Sequence, residues 1–113
     1  SIVRPVFSYY GKLIIDDSVI KNIVRIAAEK FENVYRVGGT RVRHIVNGDD
    51  DLGITVSLEV VFAYGHAIKE TMVALRHRLQ TEIERMTGMV VHEVDILVKS
   101  LYVDAQPSLR AEG

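Results

Sequence analysis

The 113-residue chain contains no cysteine. That absence removes disulfide frameworks, thiolate nucleophiles and Cys-ligated zinc or iron–sulfur centres, and leaves His and carboxylates to carry any metal or acid–base chemistry. Proline is scarce. Its two copies, Pro5 and Pro107, stand near the ends, so the body from about Tyr9 to Val103 holds no low-complexity linker. Excess charge is also missing: Lys and Arg number 14, Asp and Glu 15, and the net charge is −1. No global field therefore draws the molecule to nucleic acid or to a membrane surface. Long apolar runs are absent too, because Glu59 interrupts the longest charge-free region, Leu52–Ile68, and a spanning helix needs roughly 18 or more apolar residues. Direct membrane insertion is not expected. Ser1–Phe7 has Pro5 in its only short apolar run and no small-residue cleavage pattern, so it does not read as a signal peptide. The first residue is Ser rather than Met, which leaves open the removal of a preceding segment.

What remains is ordinary globular material, 48% hydrophobic and 26% charged, of a length that buries one core. A single domain over 1–113 is expected, with an ordered body over about 9–103 and a frayed tail over 104–113. Lys12-Leu13-Ile14-Ile15 reads as a first strand. Asp16 is the candidate cap of a helix from Asp17 to about Phe31, with Ile20, Ile23, Val24, Ala27 and Phe31 on its apolar face. Arg36 to His44 reads as a flexible connection running into a strand over Arg41–Val46, and Asn47–Gly53 as a turn. Ile54–Tyr64 alternates without a fault, Ile54, Val56, Leu58, Val60, Phe62 and Tyr64 on one side. A long helix follows from His66 to Thr87 with Ile68, Met72, Leu75, Leu79, Ile83 and Met86 in a stripe, stopped by Gly88, and a last strand spans about Val90–Val103. The order β-α-β-β-α-β predicts an α+β two-layer sandwich: a largely antiparallel four-stranded sheet with two helices on one face.

The chemistry-bearing residues do not assemble into a reaction. Asp49-Asp50-Asp51 invites a calcium loop, but the later ligand positions of such a loop fall on Gly53 and Val60, which cannot supply the side-chain oxygens. The sequence reads instead as a hairpin turn. His44, His66, His77 and His92 are scattered and lack the helical i, i+4 spacing of a zinc site. Glu93 and Asp95 share one side of the last strand and, with Glu59, make a formal carboxylate set, yet nothing places a pocket around them. The serines sit in no nucleophile-elbow pattern. No catalytic, cofactor or metal residue is assigned, and the chain is expected to be no enzyme. Arg36, Arg41 and Arg43 around Gly38-Gly39 form a candidate anion or nucleic-acid patch, which matches neither a P-loop nor the GxxG loop of a KH module.

Three stretches resemble the alkaline shock protein family of bacterial envelope stress response proteins. They are Gly11–Ile20, Val56–Ile68 with its closing Tyr64-Gly65, and Gln80–Val98, the last being the most specific. The chain departs from the family pattern at Asp16, where Ser is usual, at Asp95, where Asn is usual, and across Asn33–Gly53. The resemblance implies a non-enzymatic cytoplasmic protein of cell-envelope homeostasis that self-associates as a homo-oligomer and, in some members, is held at the membrane by a separate membrane-anchored partner. The alternative is a small RNA-binding α+β module using Arg36, Arg41 and Arg43; the neutral charge balance disfavours it. Association is expected through the sheet face that the helices leave bare. Strict alternation places Val61, Leu97, Leu101 and Val103 on that face, together with Ala63, among Glu59, Glu93, Asp95 and Lys99.

Overall fold

The computed structural model of the protein describes residues 13–103. Lys12 of the expected first strand, the start of the expected body and the expected frayed tail over 104–113 lie outside the described residues. The elements in order are helix α1 (Asp17–Glu29), strands β1 (Val34–Asn47) and β2 (Asp50–Ala63), helix α2 (Ile68–Thr87) and strand β3 (Val91–Tyr102).

α1 begins where its cap dictates. Asp16 is extended, and its Oδ2 accepts from the Ser18 N–H at 3.0 Å, satisfying an amide that the first turn leaves without a helical partner. That bond, followed by the one from the Ser18 hydroxyl, holds the Asp16 carboxyl below its ordinary value. Ile20, Ile23, Val24 and Ala28 recur at helical spacing and are buried. The helix is shorter than the sequence predicts, because Lys30 caps it and Asn33 turns the chain with φ 68°.

The expected fold class needs correction. The described residues contain three strands in one sheet, ordered β1-β2-β3, and the element order is α-β-β-α-β. Leu13–Ile15 belong to no strand; Leu13 and Ile14 are exposed, and Ile15 alone packs against the core. Their β-branched run imitates a strand, but it leads into Asp16, whose extended backbone serves the helix cap and not a ladder. The sheet is also mixed rather than largely antiparallel. β1 pairs antiparallel with β2 through a two-residue turn, whereas β3 pairs parallel with β2, since the 20-residue α2 carries the chain back along the sheet before β3 begins.

Both helices nevertheless cover one face, as the alternation in β2 requires. Ile54, Val56, Leu58 and Val60 from β2 meet Ile20, Ile23 and Val24 from α1 and Leu75, Leu79 and Ile83 from α2 in one cluster. The α2 stripe is narrower than expected, for Ile68 and Met86 at its ends are exposed. Gly88, in the left-handed region, donates its N–H to the Glu84 carbonyl and stops the helix. The next residues are clasped to α2: Glu84 Oε2 accepts from the Val91 N–H at 2.9 Å, and Gln80 Nε2 donates to the Val91 carbonyl at 3.1 Å. The first amide and carbonyl of β3 are thus fixed by the helix that precedes it.

Candidate interaction face on the bare side of the sheet

The face opposite the helices is built by the odd-numbered residues of β2, namely Thr55, Ser57, Glu59, Val61 and Ala63, and by their partners in register. On β1 these partners are Arg43 opposite Thr55, Arg41 opposite Ser57 and Arg36 opposite Val61. On β3 they are Glu93 opposite Thr55, Asp95 opposite Ser57 and Leu97 opposite Glu59. Paired residues project to the same side of a sheet. The strand expected from Arg41 is present with Arg41 and Arg43 on one face, but the expected connection leading into it is not a connection; 36–40 also lie inside β1, and Gly38-Gly39 form a bulge there, two residues set against Glu59.

The face is electrically divided. One edge carries Arg36, Arg41 and Arg43, the other Glu93 and Asp95, with the neutral Thr55 and Ser57 between them. Two strand spacings separate the columns by about 9–10 Å. No ion pair joins these five side chains to any partner among the described residues. Within the face Lys99 Nζ lies 3.7 Å from Glu59 Oε1, with Lys99 exposed and Glu59 partly so, a contact of little energetic weight. Beside it a shallow depression of about 250 Å³ is lined by Gly39, Arg41, Ser57, Glu59, Asp95 and Leu97. Gly39 brings no side chain to its rim, and beside it a Cβ on Gly38 would stand 3.3 Å from Glu59 Cβ and Oε1.

Of the apolar residues expected here, Val61 and Leu97 are on the face. Leu97 is 57% exposed, while Val61 is only 9% exposed although no helix lies above it. Leu101 is misplaced in the sequence-based expectation. The register slips between Val60 and Val61, leaving Lys99 as an extra residue in β3, and Leu101 comes opposite Phe62 on the helix-covered side. Val103 lies past the end of β3. In exchange the face gains two residues that the sequence reading passed over. Tyr35, extra in β1 between Val34 and Arg36, stacks on Tyr102 of β3, and Tyr102 is the register partner of Ala63. Only the two bulges, at Tyr35 and at Lys99, bring them together; the signal available in sequence was a tyrosine in each outer strand, without a register to join them.

Three of the remaining candidates, His44, His92 and Asp51, have structural partners. His44 Nε2 is 2.7 Å from Asp17 Oδ1, joining β1 to α1, and His92 Nε2 is 2.6 Å from the Leu52 carbonyl. Asp51 Oδ1 accepts from the Gly53 N–H, so this aspartate of the run shapes the hairpin. Among the described residues no group of three or more His, Asp or Glu side chains is placed to hold a metal, and no helix is long and apolar enough to cross a membrane.

The family model of the alkaline shock proteins, described as having a cell envelope-related function, matches residues 7–103. The chain belongs to the alkaline shock protein family. The match spans all three stretches on which the sequence resemblance rests. No curated protein matches this alkaline shock family chain in sequence. Among solved structures it is similar to a MamM CTD, at 13% identity and a TM-score of 0.54, over 75% of this chain and 99% of that one. A zinc form of a MamM CTD variant gives 13% identity and a TM-score of 0.55, over 79% of this chain and 91% of that one. At that identity the likeness speaks to the fold, and the zinc belongs to that protein.

Proposed function

We propose that this alkaline shock family protein serves its cell-envelope role by association and not by catalysis, self-associating and meeting protein partners through the bare face of the sheet. The observation that carries this reading is the face itself: an exposed Leu97 beside a shallow depression, flanked by charged side chains that have no ion-pair partner among the described residues. An exposed apolar side chain set among charged ones suits a protein interface. In keeping with the family resemblance, the working location is cytoplasmic, and a membrane-anchored protein is the class of partner that would hold the chain at the envelope.

RNA binding has one observation in its favour, the alignment of Arg36, Arg41 and Arg43 on a single face. Glu93 and Asp95 on the same face oppose a phosphate backbone, and no broad basic surface surrounds the arginines. The test is light scattering across a wide concentration range, with partner capture from the native host, for the parent and for Leu97→Lys. Association that weakens in the variant without a fall in thermal stability is the expected result. A parent that stays monomeric at every concentration, together with unchanged partner capture by the variant, would overturn the reading. Tight RNA binding near physiological salt that is lost in Arg41→Glu with Arg43→Glu would replace it.

A further inference from the structure

Resting on the reading of the bare sheet as the association face, we infer that its occupant is a second copy of this chain, stacked face to face about a two-fold axis that runs along β2. The inference starts from two rows of the sheet. Arg41, Ser57 and Asp95 share one row, and Arg43, Thr55 and Glu93 the next. Each row runs from a cation through a small neutral residue to an anion.

Two sheets that meet by their faces have two symmetric ways to do so with strands aligned. With the axis across the strands, β1 lies over β1 of the second copy, and the arginine columns oppose each other. With the axis along β2, the edges exchange while the rows stay level. Arg41 then lies over Asp95 of the second copy and Arg43 over its Glu93, and the same two pairs form again on the other side of the axis, as any isologous contact requires. Like charges brought together at a contact are costly and opposite ones set the register, so the charge pattern selects the second arrangement.

Shape agrees with charge. The row after Arg41 reads Gly38-Gly39, Glu59, Leu97. Exchanging the edges brings Leu97 of one copy over the glycine bulge of the other, at the Gly39 side of the depression of about 250 Å³ that crosses the sheet to its own Leu97. Thr55 and Ser57 are short, so their part of the face, away from the Tyr35–Tyr102 pair at the Ala63 end, allows the approach of about 10 Å at which stacked sheets pack. The two Glu59 carboxylates come nearest the axis, and each has Lys99 at 3.7 Å to offset its charge. Of the five charged side chains on the face without an ion pair among the described residues, this arrangement uses all but Arg36, which sits beyond the glycine bulge.

Charge exchange tests it. One variant carries Arg41→Glu with Arg43→Glu, the other Glu93→Arg with Asp95→Arg. Alone, each presents like charges to its own copy, and its self-association is expected to weaken by roughly tenfold or more. Mixed in equal amounts they are complementary on both sides of the axis, and sedimentation is expected to return the dimer mass; recovery in the mixture also shows that both variants are folded. Swapped proteins that associate as the parent does, or a mixture that stays monomeric although each variant melts cooperatively, would overturn the two-fold arrangement. If Leu97→Lys abolishes association in that case, the face reading survives and only this occupant geometry fails. A parent with no self-association would sink this geometry, and unchanged partner capture by Leu97→Lys would sink the face reading along with it.

Discussion

Tyr35 and Tyr102 stack with ring centroids 3.8 Å apart and planes 3° from parallel, although their strands lie on opposite sides of β2. The rings therefore reach over the middle strand, on the side of Ala63, and close one end of a face that has no helix above it. Such a pair is worth about 0.5–1.5 kcal/mol beyond the area it buries. Tyr35→Ala and Tyr102→Ala are each expected to destabilise by about 1 kcal/mol in urea denaturation, and the double variant by clearly less than the sum. Full additivity would mean that the rings do not support each other.

The slip at Lys99 separates two leucines that strict alternation puts together. Leu97→Lys is expected to weaken association, whereas Leu101→Lys, on the Phe62 side, leaves it unchanged at equal protein concentration. Light scattering on both variants decides. A loss with Leu101→Lys as large as that with Leu97→Lys would show that the register after Val98 is wrong.

Gly53 stands at φ 124°, and a Cβ there would fall 2.4 Å from the Val90 carbonyl oxygen and 2.8 Å from His92 Nε2. Neither the backbone conformation nor the space admits a methyl group. Gly53→Ala is expected to cost roughly 2 kcal/mol or more, read as a shifted denaturation midpoint. Gly39→Ala, where a Cβ meets nothing within 4 Å, is the control and should change stability little.

Glu84 is the clasp between α2 and β3. Glu84→Ala removes the acceptor from the partly buried Val91 N–H, and losses of roughly 1–3 kcal/mol follow when such an amide is left unpaired. Hydrogen exchange should show the Val91 amide losing protection first; unchanged exchange there would remove Glu84 from the account of the fold.

Asp16 supplies the pH dependence. Its folded-state carboxyl value is lowered from 3.8, first by the Ser18 N–H. A group lowered on folding contributes stability above its unfolded value and loses it as pH falls through the folded one. Thermal melts should therefore decline on acidification below about pH 4, and Asp16→Asn, which keeps an acceptor but does not titrate there, should flatten that part of the decline. Parallel curves for parent and variant would contradict the assignment.

The helices and β2 were legible in the sequence because each carries a period that packing enforces: Ile20, Ile23 and Val24 on a turn of helix, Ile54 to Val60 on alternate positions of a strand. β1 was not. Its first half has the glycine pair and a partly polar, exposed pattern, and nothing in Arg36-Val37-Gly38-Gly39 distinguishes a bulged edge strand from a loop. The direction of β3 depends on where α2 delivers the chain, which is a property of the packed helix and not of any residue in β3. The face followed the same division. Val61 and Leu97 were found by alternation, and Leu101 was misplaced because a single extra residue reverses every side chain after it. The specificity of Gln80–Val98 was visible, but its cause, the bonds from Gln80 and Glu84 to Val91, needs the two elements side by side.

The interruptions in the β1–β2 pairing also decide how the molecule avoids its own copies. Among the described residues β1 is an outer strand of the sheet, and an outer strand of 14 residues is a template on which an identical strand can grow into a fibre. The extra residues at Tyr35 and at Gly38-Gly39 cut that template, and with Leu52 of β2 extra opposite Ile45/Val46 its longest run in step with β2 is Thr40–Ile45. A ribbon so crooked offers another chain only a few consecutive amides and carbonyls before the spacing fails. Growth of this edge by strand addition is thereby discouraged.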